Sequence, residues 1–271
     1  MEKQDLCWKK KKIIIGMVHL RALPGTPGNV CSMQEISETA LEEALLLERN
    51  SFDGIILENM HDIPYLNKKV GPEITAAISV IAEKIKKRIS LCIGVQILAG
   101  ANREALAVAK AAGLDFIRAE GFVFSHIADE GLINSDAGKL LRYRKNIGAD
   151  RIKIFTDIKK KHSSHAITSD ITTAEFAEAA QFFASDGLIL TGKASGKEAS
   201  IEEIKEIYST ANLPVLIGSG ISKDNIRDYW KHADGFIIGS SLKEKGFWKN
   251  SLSESRIVEF MNKVAELRKR K

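Results

Sequence analysis

Acids, bases and glycine-rich loops recur in this sequence at one kind of position, the residue or two that close a short apolar run. His19 follows Ile13–Val18, and Glu58 and Asn59 follow Gly54–Leu57, with Asp62 just beyond. Gln96 lies near the end of Leu91–Ile97. Arg118 and Glu120 belong to Phe116–Ala119 and its edge, and Asp157 follows Ile152–Thr156 and leads into Lys159, Lys161 and His162. A carboxylate beside an imidazole suits proton removal next to a carbonyl, one group acting as base and the other as acid. A cation such as Arg118 or Lys161 would then stabilise the enolate oxygen. Isomerisation, epimerisation and retro-aldol cleavage share that enolate, so the residues leave all three open. Lys161 as an imine-forming nucleophile is a further option, against which stands the reading of Lys159 to Lys161 as a solvated basic loop.

Two loops near the C-terminus carry a different chemistry. Ile217-Gly218-Ser219-Gly220-Ile221-Ser222 and Ile238-Gly239-Ser240-Ser241 each follow an apolar run. Glycines let backbone approach an anion, and successive N–H groups can cradle phosphate oxygens. Phosphate contacts are expected at Gly218, Ser219, Gly220, Gly239 and Ser240, with Asn59 and the Gly192 of Thr191-Gly192 as outlying contributors. A Walker-type Gly-x-x-x-x-Gly-Lys-Ser/Thr loop is absent, which argues against nucleotide hydrolysis. His19 with Glu58, Asp62 or Asp157 would give nitrogen and oxygen ligands for a divalent metal, but no tight spacing enforces such a site and no cofactor is predicted. His126, His165 and His232 read as surface or packing residues. Arg142 and Arg144 flank Tyr143 on an expected helix, one of them reaching a substrate anion and the other a surface charge.

The elements that must position these groups alternate along the chain. Eight short runs (the five above with Leu188–Leu190, Val215–Ile217 and Phe236–Ile238) are continuously apolar, as strands covered on both faces are. Helical patterns lie between them, at Gln34–Asn50, Pro72–Arg88, Arg103–Ala112, Ala174–Ala184, Ile201–Ser209 and Ser253–Arg268. Eight strands with their helices in this length predict one α/β domain, a (β/α)8 TIM barrel over residues 13–271, after a basic tail at 1–12. Such a barrel gathers the C-terminal ends of its strands at one mouth. The competing open sheet would place a dinucleotide loop after the first strand, where His19-Leu20-Arg21-Ala22-Leu23-Pro24-Gly25 stands instead. Four strands are introduced alike, by Asp53-Gly54, Asp115-Phe116, Asp186-Gly187 and Asp234-Gly235. These aspartates belong to the opposite end of the barrel and read as turn residues, with the glycines easing passage beneath a helix.

The chain has 271 residues, 44% hydrophobic and 28% charged, the balance of a soluble globular protein. No apolar stretch is long enough for a membrane span. The net charge of +5 rests largely on Lys9 to Lys12 and Arg268 to Lys271. These read as solvated ends, since no aromatic-interleaved nucleic-acid motif accompanies them. Cys7, Cys31 and Cys92 show no metal spacing and suit free thiols in a reducing compartment. Cytoplasm is the expected location and mitochondrion the alternative; assembly into a homo-oligomer stays open.

Residues along nearly the whole chain resemble the BtpA family. They begin with Ile15-Gly16-Met17-Val18-His19-Leu20 and Leu23-Pro24-Gly25, continue at Leu57-Glu58-Asn59 and Asp115-Phe116-Ile117-Arg118, and reach Asp157-Ile158-Lys159-Lys160-Lys161-His162. Gly218-Ser219-Gly220 and Gly239-Ser240-Ser241-Leu242-Lys243 complete the likeness. The resemblance implies a ribulose-phosphate-binding type of barrel and a small phosphorylated metabolite as ligand. The family takes its name from a role in photosystem I accumulation, which implies as alternative a non-catalytic assembly factor. This chain departs from the family at the expected mouth: Gln96 and Glu120 stand where asparagines are usual.

Overall fold

The computed structural model describes residues 12–160, 162–191 and 201–269. Strands β1 (Ile13–His19), β2 (Gly54–Glu58), β3 (Cys92–Gln96), β4 (Phe116–Ala119), β7 (Lys153–Ile158), β9 (Gly187–Leu190), β10 (Val215–Ile217) and β11 (Gly235–Ile238) pair in parallel. They close a barrel in the order β1-β11-β10-β9-β7-β4-β3-β2, so the predicted (β/α)8 architecture is the one formed. Between them run α1 (Met33–Arg49), α2 (Pro72–Lys86), α3 (Asn102–Ala112), α4 (Ala137–Asn146), α5 (Thr173–Phe182), α6 (Ile201–Thr210), the single turn α7 (Ile226–Tyr229) and α8 (Glu254–Lys269). Helix starts follow local chemistry. Ser32 with Glu35 and Thr172 with Glu175 form capping boxes, and Pro72 opens α2, where its missing N–H costs nothing.

The sequence reading did not foresee a second, small sheet. β5 (His126–Ala128), β6 (Gly131–Ile133) and β8 (Ser163–Ser164) pair antiparallel in the order β6-β5-β8. The first two lie in the connection after β4, the third in the connection after β7, so two separate insertions meet as a cap on the C-terminal end of the barrel.

Inside the barrel Ile13, Ile15, Met17, Ile56, Phe116, Phe155, Ile189, Leu216 and Ile237 form one apolar cluster, distinct from the larger core between sheet and helices. The glycines that open strands, Gly54, Gly187 and Gly235, make room for neighbouring strands rather than for an overlying helix, which corrects the expectation, whereas Gly16 within β1 does lie beneath Leu47 of α1. A Cβ at Gly187 would stand 2.2 Å from the Phe155 ring, and one at Gly94 2.3 Å from Phe116. The two rings meet edge to face at 5.8 Å.

The four repeated aspartates are more than turn formers. Each accepts the N–H of a residue opening a neighbouring strand: Ile14 to Asp53 (2.9 Å), Ile93 to Asp115 (2.8 Å), Ile154 to Asp186 (3.0 Å) and Val215 to Asp234 (2.9 Å). Three also hold a cation: Lys86 on Asp115, Arg144 on Asp186 and Arg268 on Asp53. Arg268 further donates to the Lys12 carbonyl, and Lys12 Nζ to the carbonyl of Ala233 at 2.6 Å. The reading of both as solvated tail residues is thereby overturned; residues 1–11 lie outside the described residues. Cys31 is a free thiol, as expected, whereas Cys92 is disulfide-bonded. No described helix is long and apolar enough to cross a membrane.

Candidate active site

Side chains alternate across a strand, so the position two residues beyond each member of the inner cluster also faces the lumen. At the C-terminal rim these positions are His19, Glu58, Arg118, Asp157, Thr191, Gly218 and Gly239, and on β3, whose inner member is Cys92, the same alternation runs through Gly94 to Gln96. One arc, from β1 through β2, β3 and β4 to β7, ends in polar groups; the other, at β10 and β11, ends in bare glycine. The two arcs approach each other. A Cβ at Gly218 would lie 3.7 Å from Arg118 Nη2, and one at Gly239 3.9 Å from His19 Cε1.

Two pairs and a trio organise the polar arc. Arg118 grips Asp157 with both ends of its guanidinium, Nε to Oδ2 at 3.0 Å and Nη2 to Oδ1 at 2.8 Å, with both side chains buried. Burial opposes the Arg118 charge, but Asp157, helped by Glu58 and Glu120, outweighs it and raises the guanidinium pKa. His19 Nε2 lies 3.4 Å from Glu58 Oε2, and its Nδ1 3.4 Å from the Trp248 carbonyl in the loop after β11. Glu120 accepts from Gln96 Nε2 at 2.9 Å and meets Lys160 Nζ at 3.1 Å. Burial pushes the Glu120 carboxyl up, with Lys160 pulling the other way. Burial likewise opposes the charge on Lys160, yet Glu120 and then Glu130 raise it.

The glycine arc is stitched into shape by its own side chains. Asn225 Nδ2 donates to the Gly220 carbonyl at 2.7 Å, its Oδ1 accepts from the Ser222 N–H at 2.9 Å, and Ser241 Oγ donates to the Ile221 carbonyl at 2.8 Å. Gly220 takes φ 73°, a region that favours glycine. Ser219 is buried, and Ser240 opens a 3-10 turn through Leu242. Gly218 differs from expectation: its N–H donates to the Leu190 carbonyl at 2.8 Å, so it offers an anion its bare inner face rather than a donor.

Other expected members sit elsewhere. The Asn59 amide braces two loops, Oδ1 accepting from the Leu98 N–H and Nδ2 donating to Asp62. Asp62 also accepts the Leu23 N–H. Both oxygens of Asp157 are engaged by Arg118, and no group of three His, Cys, Asp or Glu suited to a metal ion occurs among the described residues. His162 is exposed with φ 54°. Lys161 and Gly192 lie outside the described residues. Of the arginines flanking Tyr143, Arg142 is the exposed helix-surface charge expected, but Arg144 reaches no site for a substrate anion. Arg144 binds Asp186 at the far end of the barrel, and Arg142 folds back on the Gly138 carbonyl.

Sequence reasoning missed the cap-side residues. Lys160, passed over in favour of Lys161, is the lysine that meets Glu120. His126, read as a surface or packing residue, is 3% exposed under the cap, which excludes the surface reading, and its ring lies 5.5 Å from that of His165. Burial, then the charge on Lys160, lowers its pKa to about 4. Alternation was the usable signal: His126 and Ile133 face inward, while their neighbours Ile127 and Leu132 are exposed, about a turn at Gly131 with φ 98°.

Comparison with known proteins agrees with this architecture. A tryptophan synthase subunit alpha from Legionella pneumophila superposes with a TM-score of 0.61 at 15% identity, covering 98% of this chain and 99% of that one. A phosphoribosyl anthranilate isomerase from Thermus thermophilus gives 0.59 at 15%, covering 94% and 99%; at such identities the likeness shows the fold alone. An uncharacterised mitochondrial protein of Caenorhabditis elegans is 48% identical over 264 residues, 96% of this chain and 95% of the relative. The photosystem I biogenesis protein BtpA of Synechocystis is 33% identical over 254 residues, 93% and 88% respectively. The sequence profile of the BtpA family matches residues 10–266, and the chain belongs to that family.

Proposed function

We propose that this chain is a phosphate-anchored enzyme of isomerase, epimerase or aldolase type, acting on a small phosphorylated, sugar-like metabolite by enolate-style acid–base chemistry. The observation that carries the reading is the division of the rim into a charged arc and a glycine arc facing each other. The ligand's phosphate lies against the loops at 218–220 and 239–240, on the backbone N–H groups of Ser219, Gly220, Gly239 and Ser240. Its carbonyl then points toward Arg118, which Asp157 holds in one orientation. One member of the His19–Glu58 pair removes the proton beside that carbonyl, the electron pair moves onto the carbonyl oxygen, and Arg118 stabilises the resulting charge. Delivering a proton to the opposite face of the same carbon completes an epimerisation, and delivering it to the adjacent carbon an isomerisation; in a retro-aldol cleavage the same enolate forms instead by breaking a carbon–carbon bond and is then protonated.

The test is a thermal-shift screen against phosphosugars, followed by turnover assays of hits with His19→Ala and Asp157→Asn. A ligand at a hundred times its Kd contributes about 2.7 kcal/mol, a rise of roughly 5 °C or more in Tm for a chain of this size. If no phosphosugar shifts the transition, or both variants turn hits over as fast as the unaltered chain, the reading falls. The name of the Synechocystis relative favours a second reading, a non-catalytic factor for assembly or stability of a partner. Under it, substitutions at the rim would leave function intact while changes on the outer surface abolish it. The mitochondrial Caenorhabditis relative supports a mitochondrial location over the cytoplasm; a fluorescent fusion of the full chain decides between them.

A further inference from the structure

Seven buried side-chain polar atoms find no hydrogen-bond partner among the described residues, and five gather in one sector under the cap: Gln96 Oε1, Glu120 Oε2, His126 Nε2, Glu130 Oε2 and His165 Nδ1. Proteins keep such atoms rare because each loses its hydration without compensation, so five together mark a place that expects a partner. Lys160 joins them. Its Nζ lies 3.1 Å from Glu120 Oε2, an ion pair that leaves the other four without compensation, and its carbonyl meets His165 Nε2 at 3.0 Å. Its charge also acts on His126 and responds to Glu130.

The chemistry of the set says what it would bind. Carbonyl and carboxylate oxygens only accept, and three of the five atoms are of that kind; each imidazole nitrogen donates or accepts according to tautomer. A fitting ligand therefore brings several O–H donors and little negative charge. A second phosphate or a carboxylate brings no donors and would face Glu120 and Glu130.

We infer that the cap sector binds the neutral hydroxylated end of a sugar monophosphate, with Gln96, His126, Glu130 and His165 as specificity-determining residues that discriminate against bisphosphates and sugar acids. The inference rests on the proposed phosphate anchor for the ligand's other end. The cap supplies the physical means: insertions after β4 and β7 come together only in the fold, and their pairing brings His126 and His165 side by side.

Calorimetric titration with inorganic phosphate, D-ribulose 5-phosphate, D-ribulose 1,5-bisphosphate and ribitol tests it, in the full chain and in His126→Phe. One or two added hydrogen bonds should make ribulose 5-phosphate bind about tenfold tighter than inorganic phosphate, and the bisphosphate should lack that gain. In His126→Phe the gain should shrink to about threefold or less while phosphate affinity stays unchanged. The variant's Tm should not fall, because the ring it loses carried an unpartnered nitrogen. A gain that persists in His126→Phe, or a bisphosphate that binds as well as the monophosphate, overturns the inference. If His126→Phe does not fold, Gln96→Leu carries the binding readouts but not the thermal one, since Gln96 Nε2 also bonds Glu120. The anchor fails separately, by absence of phosphate binding; ribitol, which has hydroxyls alone, then decides the cap. Ribitol binding weakened by the substitution upholds the inference, and no ribitol binding at millimolar concentration ends it.

Discussion

Carboxylates at the two ends of this barrel keep different company. At the N-terminal end Asp53, Asp115, Asp186 and Asp234 each take a backbone N–H of an adjacent strand, and three of them a nearby cation. Their bonds pin strand starts in register. At the C-terminal rim Glu58, Glu120 and Asp157 instead pair with side chains from other strands or loops: His19, Gln96 with Lys160, and Arg118. Residue type alone does not separate a structural acid from a working one. The partner does, because backbone is fixed whereas a side-chain partner can be shared with a ligand or exchange a proton.

The largest expected effect breaks the comparison at its strongest point. Asp157→Ala leaves the buried Arg118 guanidinium without its counter-charge and should cost about 3–5 kcal/mol in urea unfolding. Combining Asp157→Leu with Arg118→Met should restore most of that stability but no turnover. If the double variant stays active, the pair is structural after all. A smaller loss, about 1–3 kcal/mol, is expected for Asp115→Ala, which strands the Ile93 N–H. Phosphosugar affinity should be unchanged in that variant; altered affinity would erase the division between the two ends.

The pH dependence sharpens the rim side further. The His126 imidazole, with an ordinary pKa of 6.5, is held down to about 4 by burial. The unfolded chain therefore takes up a proton before the folded one does. Stability from this group is complete above 6.5 and is lost as pH falls toward 4. His61, also lowered to about 4, acts in the same sense. Glu120 has the opposite sign: its pKa is raised, so stability from its neutral form is present below 4.5 and is lost as pH climbs. Glu43, Asp62 and Asp136 are raised as well and act with Glu120, so the readout is the difference between two proteins: from pH 4 to 7 the urea midpoint of the unaltered chain should gain on that of His126→Phe as pH rises, and an unchanging difference would mean that the imidazole is not desolvated. The smallest effect belongs to the exposed Lys145–Asp150 pair. Asp150→Ala should leave the urea midpoint where it is.

The barrel was legible because its signals are local. Continuous apolar runs such as Ile13–Val18 and Val215–Ile217, spaced by helical periods, admit few arrangements, and rim residues such as His19, Glu58 and Asp157 are fixed by where those runs end. The cap was not legible, since β5, β6 and β8 are two or three residues each and gain their stability from pairing across insertions far apart in sequence. For the same reason Lys160 and Lys161 could not be told apart: a strand that has ended no longer fixes which way its side chains point. Asn59 misled by type, an amide at a strand end whose hydrogen bonds are taken up by neighbouring loops.

What the sequence determined by itself is the order of strands and helices, the class of fold and the set of polar residues at the rim, all consequences of period and of the cost of burying charge beneath helices. The tertiary structure alone decided which of those residues pair, that Gly218 gives up its N–H to Leu190, and that His126 and His165 meet under one roof. These are distances between atoms remote along the chain, and only closing the barrel sets them.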